Sequence, residues 1–227
     1  MTTEAASERY MSYLRGKVSD KFSFLHTEPV LEKSGERTKL VLSAERKYCP
    51  YIRQYTEERI AEIIAIGYKY LYFQSRLLLP YLTPPEREIL LTALVAADLP
   101  EDREYVRTSL TCEEVYCIDG TYRFRLHGLK NRWKKISEYV SVDFNALSLD
   151  SFLSFLTGER EGKFFLKDGK LYDEDYRLLN KSVLTGRYFP IGEILLSGAK
   201  NVYAFGKPSA ETENFLKKYY KERAVFC

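Results

Sequence analysis

The most chemically suggestive stretch of this chain lies at mid-sequence, from Ile118 to Trp133. It contains the only tryptophan, and six lysine or arginine residues fall between Thr121 and Lys135 with no aspartate or glutamate among them. Cations that alternate with aromatic residues can contact phosphate groups while the rings stack on nucleobases. The stretch is therefore a candidate anion-binding or nucleic-acid-binding segment, and its use depends on which side chains the local structure exposes.

A helical projection separates the apolar residues of this stretch from its charges. Six apolar residues recur in steps of four and three and lie within about 40° of one line on a helix. They are Tyr122, Leu126, Leu129, Trp133, Ile136 and Val140. The spacing predicts one helix over 122–140 whose aromatic rings belong to the protein core.

The charged residues of this predicted helix fall on its two flanks. Arg123, Lys130 and Lys134 share one flank and form a candidate edge for binding an anion or a nucleic acid. Arg125 and Arg132 lie on the other flank, where Arg125 is close enough to the apolar stripe to need a buried partner. A solvated or salt-bridged helix surface is the competing interpretation of the same edge.

Metal ligands are scarce in the sequence. His26 and His127 are the only histidines, and neither has a companion at ligand spacing. Cys112 and Cys117 are separated by four residues, which is at the limit of zinc-type spacing, and no second pair completes a site. We expect free thiols and predict no metal site.

Signatures of catalysis are also missing. The chain lacks a Walker-type loop, a dinucleotide-binding glycine motif and a nucleophile elbow. Gly206–Ser209 lies between a predicted strand and a predicted helix, where a phosphate could bind, but its residue order favours an ordinary turn. The acidic run Asp173–Asp175 beside a hairpin is typical of a solvated turn. The sequence therefore predicts no catalytic residue and no cofactor.

Composition restricts the class of protein and the compartment. The 227 residues are 45% hydrophobic and 30% charged, as in globular proteins. A net charge of +3 is too small to imply a polyanionic partner by itself. The N-terminal stretch Met1–Arg15 has no apolar run of the signal-peptide type, and no segment has the roughly 20 apolar residues of a membrane span. We expect a cytoplasmic protein.

The elements that position these residues fall into three consecutive segments, which form either separate units or one continuous domain; the first two make a mainly helical half. Residues 1–55 carry a polar helix and short strands near 22–25 and 39–43. Residues 56–160 predict an antiparallel helical array, with Thr56 as the N-cap of a long helix. Thr83 and the prolines after it mark the start of the next helix.

The third segment, 161–227, changes character. Two short strands flank Asp168-Gly169, a strong signal for a two-residue hairpin turn. A strand at 201–205, a helix at 211–220 and a strand at 223–227 predict a parallel βαβ unit. The predicted fold class is α+β, with a helical N-terminal half packed against a small C-terminal α/β unit.

The segment from Ile118 to Leu126, which contains Phe124, Arg125 and Leu126, resembles the YtxC family of sporulation proteins. In that family a Phe-Arg-Leu core opens a mid-chain helix. The resemblance continues through the hairpin and the βαβ unit to the ending Tyr220–Cys227, and it covers roughly residues 85–227. Members are associated with endospore-forming bacteria, and no catalytic residues or cofactors are established for them.

Three functional hypotheses follow. The first is a non-enzymatic cytoplasmic protein of the YtxC type that acts through protein contacts in spore formation. The second is a nucleic-acid-binding module that uses Arg123, Lys130 and Lys134. The third is an enzyme with an unfamiliar site, which would require a concave pocket with convergent polar groups.

Overall fold

A computed structural model of the chain describes residues 1–25, 29–110, 115–158 and 162–227. Helical residues make up 62% of the structure, and the described part contains eight strands in two small mixed sheets. The predicted α+β class, with a helical N-terminal half and a C-terminal part rich in strands, is confirmed. None of the helices in these ranges has the length and apolar character that a bilayer crossing requires.

The strands and helices alternate along the chain. The strands are β1 (Thr2–Ala5), β2 (Val30–Ser34), β3 (Arg37–Val41), β4 (Val115–Cys117), β5 (Lys163–Lys167), β6 (Lys170–Tyr172), β7 (Asn201–Phe205) and β8 (Ala224–Phe226). The α-helices are α1 (Glu8–Phe22), α2 (Cys49–Glu62), α3 (Lys69–Arg76), α4 (Pro84–Ala97), α5 (Leu99–Ser109), α6 (Ile118–Phe124), α7 (His127–Tyr139), α8 (Ala146–Gly158), α9 (Pro190–Ser197) and α10 (Ala210–Phe215). Two stretches, Ile63–Tyr68 after α2 and Leu216–Tyr220 after α10, are π-helical.

The chain folds into two compact units, each built from two stretches of sequence. Unit 1 comprises Met1–Lys69 and Leu99–Ile136, and unit 2 comprises Tyr70–Asp98 and Ser137–Cys227. These interleaved stretches differ in their boundaries from the three consecutive segments, 1–55, 56–160 and 161–227, that the sequence predicts.

Unit 1 contains a four-stranded sheet in the order β2-β3-β1-β4. β1 runs antiparallel to β3 and parallel to β4, with Thr3 opposite Tyr116. The strand predicted near 39–43 corresponds to β3. The strand predicted near 22–25 is wrong, because Phe22 follows Val18 at helical spacing and ends α1 in the core, and a 3₁₀ turn follows it.

The helices of unit 1 pack on one another and on this sheet. α1 contacts α2 and β3, and α5 contacts α2 and its π-helical continuation. The predicted N-cap at Thr56 is wrong, since α2 begins at Cys49 with Pro50 in its first turn. Thr56 is fully buried inside α2, where its hydroxyl donates to the carbonyl oxygen of Ile52 at 2.7 Å.

The helix predicted over 122–140 is two helices, α6 and α7, separated at Arg125 and Leu126. The N–H of Arg125 closes α6 by donating to the carbonyl oxygen of Thr121 at 3.0 Å. Leu126 is fully buried at the junction. Because the break is only two residues long and Leu126 still reaches the core, the apolar residues keep their helical spacing across it. The sequence pattern therefore gives no sign of the break.

Unit 2 begins with helices that pack on one another. The predicted start of α4 is confirmed: the N–H of Thr83 donates to the carboxylate of Glu86 at 2.8 Å in a capping box. α4 packs against α8 and α9, and its inner residues Leu90 and Ala93 are fully buried.

Unit 2 also contains a four-stranded sheet in the order β6-β5-β7-β8. The predicted hairpin is confirmed, with Asp168 and Gly169 at φ of 50° and 71° in the turn between β5 and β6. β7 runs parallel to both β5 and β8, so the predicted βαβ unit is confirmed as well. Leu166, Val202 and Ala204 point to the buried face of this sheet.

Candidate functional site

The predicted cationic edge is divided between two helices. Arg123 lies in α6, whereas Lys130 and Lys134 lie in α7, so the prediction that one helix flank carries all three is wrong. The Nζ of Lys130 donates to the carbonyl oxygen of Arg123 at 2.8 Å and lies 5.5 Å from the centre of the Tyr122 ring. Lys130 thus interacts with the C-terminal end of α6, where carbonyl groups carry partial negative charge. Nucleic-acid binding by this edge stays a prediction.

The residues that carry the family resemblance have different environments. Phe124 is 75% exposed and Leu126 is fully buried. The expectation that Arg125 needs a buried partner is wrong, because Arg125 is exposed at the end of α6. In a continuous helix Arg125 would lie beside the apolar stripe. The break between α6 and α7 places it at an exposed position instead.

Trp133 belongs to the core, as the apolar stripe predicts, and its indole has a polar partner. Its Nε1 donates to the carboxylate of Asp102 at 2.7 Å. The same carboxylate binds the Nζ of Lys69 at 2.8 Å, and a guanidinium nitrogen of Arg132 lies 3.2 Å from its other oxygen. Neither Lys69 nor Asp102 has any exposed side-chain surface. This buried ion pair has no open face for a substrate, so we assign it to stability.

Asp119, within the mid-chain stretch, holds a second polar cluster of unit 1 together. Its carboxylate accepts the hydroxyl of Tyr68 at 2.6 Å and the backbone N–H of Ala6 at 2.7 Å. Burial, and next the bond to Asp119, raise the pKa of Tyr68 well above its usual range. The Tyr68 hydroxyl therefore keeps its proton, and the Asp119 carboxylate joins α6 both to the end of β1 and to the π-helical stretch that ends at Tyr68.

Of the cysteine pair considered for zinc, only Cys117 lies within the described residues. Cys112 and His26 lie outside the described residues. The Sγ of Cys117 accepts a hydrogen bond from the guanidinium of Arg37 at 3.1 Å, and a cation at that distance opposes a metal ion. His127 is exposed at the start of α7. Among the described ranges, no three His, Cys, Asp or Glu side chains come together to hold a metal.

A buried carboxylate and a serine meet in unit 2 without forming a catalytic pair. Glu193 has no exposed surface, and its Oε1 accepts the backbone N–H of Ser182 at 2.5 Å. The Oγ of Ser182 accepts the N–H of Phe189 at 3.2 Å, so both side chains bind backbone groups. Burial raises the pKa of Glu193. The pair fastens the turn at Lys181–Thr185 to α9.

The remaining motifs have structural roles. The Oγ of Ser209 accepts the N–H of Thr212 at 3.3 Å and caps α10, so Gly206–Ser209 is an ordinary strand-to-helix turn. The Oδ1 of Asp173 accepts the N–H groups of Asp175 and Arg177 at 3.0 and 2.8 Å. These bonds make the acidic run a turn, as its position beside the hairpin indicates.

An open groove of about 610 Å³ lies in unit 1 between the end of α1 and the first turns of α2. We call it the aromatic groove, and its lining residues are Lys21, Phe22, Phe24, Tyr48, Tyr51, Gln54, Tyr55 and Glu58. Phe22 is 9% exposed and lies edge-on to Tyr55 at 5.5 Å, whereas Phe24 and Tyr51 are 62% and 68% exposed. The groove thus combines a packed aromatic floor with two rings that face solvent.

Sequence reasoning missed this groove, although a signal for it exists. Tyr48, Tyr51 and Tyr55 recur in steps of three and four residues, which brings them to one side of a helix. Because the helix was predicted to begin only at Thr56, these tyrosines were not placed on a common face.

A second groove, of about 640 Å³, lies in unit 2 and has a mainly aliphatic lining from α3, α4 and the loop between them. Its charged side chains already have partners. The Nε of Arg87 donates to the carbonyl oxygen of Leu82 at 2.8 Å, and the carboxylate of Glu88 binds Arg187 at 2.6 Å. This groove offers apolar surface without convergent polar groups, so it gives a weaker indication of a specific ligand.

Comparison with known proteins does not indicate a function for either groove. Compared with protein-family models, curated proteins and solved structures, the chain matches none of them.

Proposed function

We propose that this chain is a non-enzymatic cytoplasmic protein of the YtxC type, which acts in spore formation by binding a partner protein. The family and cellular part of the proposal rest on the resemblance of Ile118–Leu126 and Tyr220–Cys227. The binding part rests on one structural observation, the aromatic groove of unit 1, which leaves the rings of Phe24 and Tyr51 mostly exposed. Large exposed rings around a concave surface are typical of protein recognition sites.

The chemistry of the groove favours an extended, proline-rich segment of the partner. Such a segment adopts a polyproline II helix, which has no internal hydrogen bonds and presents its carbonyl groups outward. Aromatic-lined grooves accept the proline rings, while hydroxyl and amide groups donate to those carbonyls. The hydroxyls of Tyr48 and Tyr51 supply such donors, and the amide nitrogen of Gln54, which already donates to Glu58 at 3.5 Å, has a second N–H group. Glu58 also lines the groove, and its only partners within the described residues, Gln54 at 3.5 Å and Arg59 at 3.7 Å, are long contacts that a basic side chain of the segment can replace.

The polar clusters of the described residues support binding in preference to catalysis. The carboxylates of Asp102 and Glu193 are fully buried and hydrogen-bonded to neighbouring groups. A catalytic acid or base must reach a substrate, and neither carboxylate borders one of the two grooves.

Binding of a fluorescent proline-rich peptide with one arginine tests the proposal. The full chain is titrated against the peptide, and fluorescence anisotropy reports binding. Replacing both exposed rings, in Phe24→Ala with Tyr51→Ala, is expected to weaken binding by tenfold or more, on the order of a hot-spot loss. The matched control is Tyr139→Ala, since Tyr139 is 89% exposed and lies outside the groove.

The outcomes separate clearly. Equal binding by the groove variant and the control, or equal binding of a glycine-serine peptide, would refute the groove as a proline-rich segment site. In an endospore-forming host, deletion of the chain should reduce spore yield, and the groove variant should fail to restore it. Normal sporulation of the deletion strain under all tested conditions would count against the cellular role.

A further inference from the structure

The outer face of the C-terminal sheet carries aromatic rings and lysines on alternating positions. Side chains alternate between the two faces of a strand, so Lys163, Phe165 and Lys167 of β5 share the face opposite the buried Leu166. Tyr203 of β7 shares that outer face with Phe205, which is 42% exposed. One side of the sheet therefore packs in the core, and the other presents rings and cations.

Strand register assembles these rings into a row. Phe165 of β5 lies opposite Tyr172 of β6 and opposite Tyr203 of β7, and Tyr203 lies opposite Val225 of β8. The rings of Phe165 and Tyr203 are 5.7 Å apart, and Phe205 is 6.2 Å from Phe165. The ring of Tyr176 stacks on Phe165 at 4.8 Å with an interplanar angle of 7° and is 69% exposed. The exposed ring surface of this row belongs to Tyr176 and Phe205, while Phe165, Tyr172 and Tyr203 are half-buried beneath and beside them.

The lysines of this face are arranged in a way that favours an anion. Lys167 and Lys170 lie directly opposite each other in the hairpin, and all three lysines, with Lys163, are exposed. Like charges opposite each other in a sheet are destabilising unless a counter-charge lies between them. Within the described part of the chain, none of the three forms an ion pair.

Few acidic side chains lie near this face, and three of them already bind backbone N–H groups or an arginine. The carboxylate of Glu174 accepts the backbone N–H of Lys163 at 3.0 Å, and the carboxylate of Asp173 binds backbone N–H groups of its own turn. Asp175 pairs with Arg177 at 3.1 Å, and Asp168 lies in the hairpin turn next to Lys167. These acids lie in turns, while the strand positions of the outer face carry only neutral or cationic residues.

We propose that this aromatic–lysine face, defined by Lys163, Phe165, Lys167, Lys170, Tyr172, Tyr176, Tyr203 and Phe205, binds single-stranded RNA. Exposed rings on a sheet stack on unpaired bases, and lysines beside them contact the phosphates. A duplex would not fit as well, because its bases are already stacked and its grooves do not admit a flat sheet. The amide of Asn201 in β7 and the hydroxyl of Tyr203 can hydrogen-bond a 2′-hydroxyl, which favours RNA over DNA.

This site is independent of the aromatic groove and of the cationic edge at Arg123, Lys130 and Lys134. It lies wholly within unit 2, whereas the groove and the edge lie in unit 1. Its RNA ligand also differs from the peptide expected in the groove. Failure of one proposal therefore leaves the other untouched.

Binding of a fluorescent oligouridine to the full chain tests the proposal by anisotropy, with the matching DNA and an RNA duplex as comparisons. We expect the single-stranded RNA to bind more tightly than either. Affinity should fall with salt, with a slope of about −2 in log units if three phosphates are contacted. Replacing Lys163, Lys167 and Lys170 by Ala should bring that slope close to zero.

Variants of the rings supply the second arm. Phe205→Ala with Tyr176→Ala removes exposed rings and should weaken RNA binding by about tenfold or more, while circular dichroism confirms that the variant folds. The charge-matched control for the lysine variant is Arg15→Ala with Lys33→Ala and Lys135→Ala, three exposed cations of unit 1 outside the groove and the cationic edge, which should bind RNA like the unmodified chain.

Several results would overturn the inference. RNA binding that is absent at about 50 mM salt, or that the lysine and ring variants retain in full, would do so. Preference for the duplex, or for DNA, would exclude the stated ligand. If the ring variants instead abolish self-association in sedimentation experiments without affecting RNA, the face is an interface between copies of the chain.

Discussion

The ammonium group of Lys69 lies 2.8 Å from the carboxylate of Asp102, and neither side chain has any surface exposed to solvent. A buried ion pair is costly to desolvate, so its presence in the core means that each charge depends on the other. Trp133 donates to the same carboxylate, which links the only tryptophan of the chain to this pair.

Removing the positive charge alone should destabilise the protein strongly. For Lys69→Met we expect a loss of about 3 kcal/mol in the free energy of unfolding, the lower end for breaking a buried pair, because Asp102 loses its buried partner and the Arg132 beside it is half-exposed. The double variant Lys69→Met, Asp102→Asn should recover part of that loss, since the new amide side chain is neutral and its oxygen can still accept from Trp133. Urea unfolding followed by Trp133 fluorescence measures both.

A surface ion pair provides the control. Glu104 and Arg107 bind each other at 2.6 Å in α5 but are 58% and 50% exposed, so Glu104→Gln should leave the urea midpoint unchanged. If Lys69→Met also leaves the midpoint unchanged, the pair has no role in stability.

Two glycines of unit 1 should respond in opposite directions to replacement by alanine. A Cβ atom at Gly67 would lie 2.7 Å from ring atoms of Tyr10, which is 2% exposed and has little room to move. Gly67→Ala should therefore destabilise the protein by about 1–3 kcal/mol. Gly16 lies on the exposed side of α1 with no atom near its Cβ position, so Gly16→Ala should stabilise it by about 0.5–1 kcal/mol.

Thermal unfolding of both variants measures this difference. Similar changes for the two would mean that Tyr10 does not confine Gly67. Loss of stability in Gly16→Ala would contradict its position in an open helical face.

Local signals in the sequence were sufficient where neighbouring residues alone determine the structure. The turn at Asp168-Gly169 and the capping box at Thr83 and Glu86 each depend on a few adjacent positions, and both are confirmed. The parallel pairing of β7 and β8 also follows from a short strand, helix and strand in succession.

Features that depend on distant residues could not be predicted. β1 pairs with β4, and those strands are separated by most of unit 1, so no local pattern indicates the pairing. The break at Arg125 is hidden because Leu126 keeps the apolar spacing intact. The sequence does not indicate the aromatic groove because the predicted start of α2 is seven residues too late. It does not indicate the aromatic–lysine face because the rings line up only once β5 is paired with both β6 and β7.

The buried carboxylate of Glu193 should make stability depend on pH in a direction opposite to that of a salt-bridged acid. Burial raises the pKa of Glu193 above its usual 4.5, so the folded state holds the proton more tightly than the unfolded chain. The stability that this protonated group contributes is complete below pH 4.5 and is lost as the pH rises through the folded-state pKa. Glu193→Gln imitates the protonated form and should remove this dependence.

The test is the difference in the free energy of unfolding between the unmodified chain and Glu193→Gln, measured by urea unfolding at several pH values from about 4 to 8. Groups that titrate equally in both proteins cancel in this difference. We expect the variant to gain stability relative to the unmodified chain as the pH rises above 4.5, because only the unmodified chain must then bury a charge or hold a proton. A difference that is constant with pH, or that moves against the variant, would show that hydrogen bonds from the backbone of Ser182 stabilise the ionised carboxylate more than burial disfavours it.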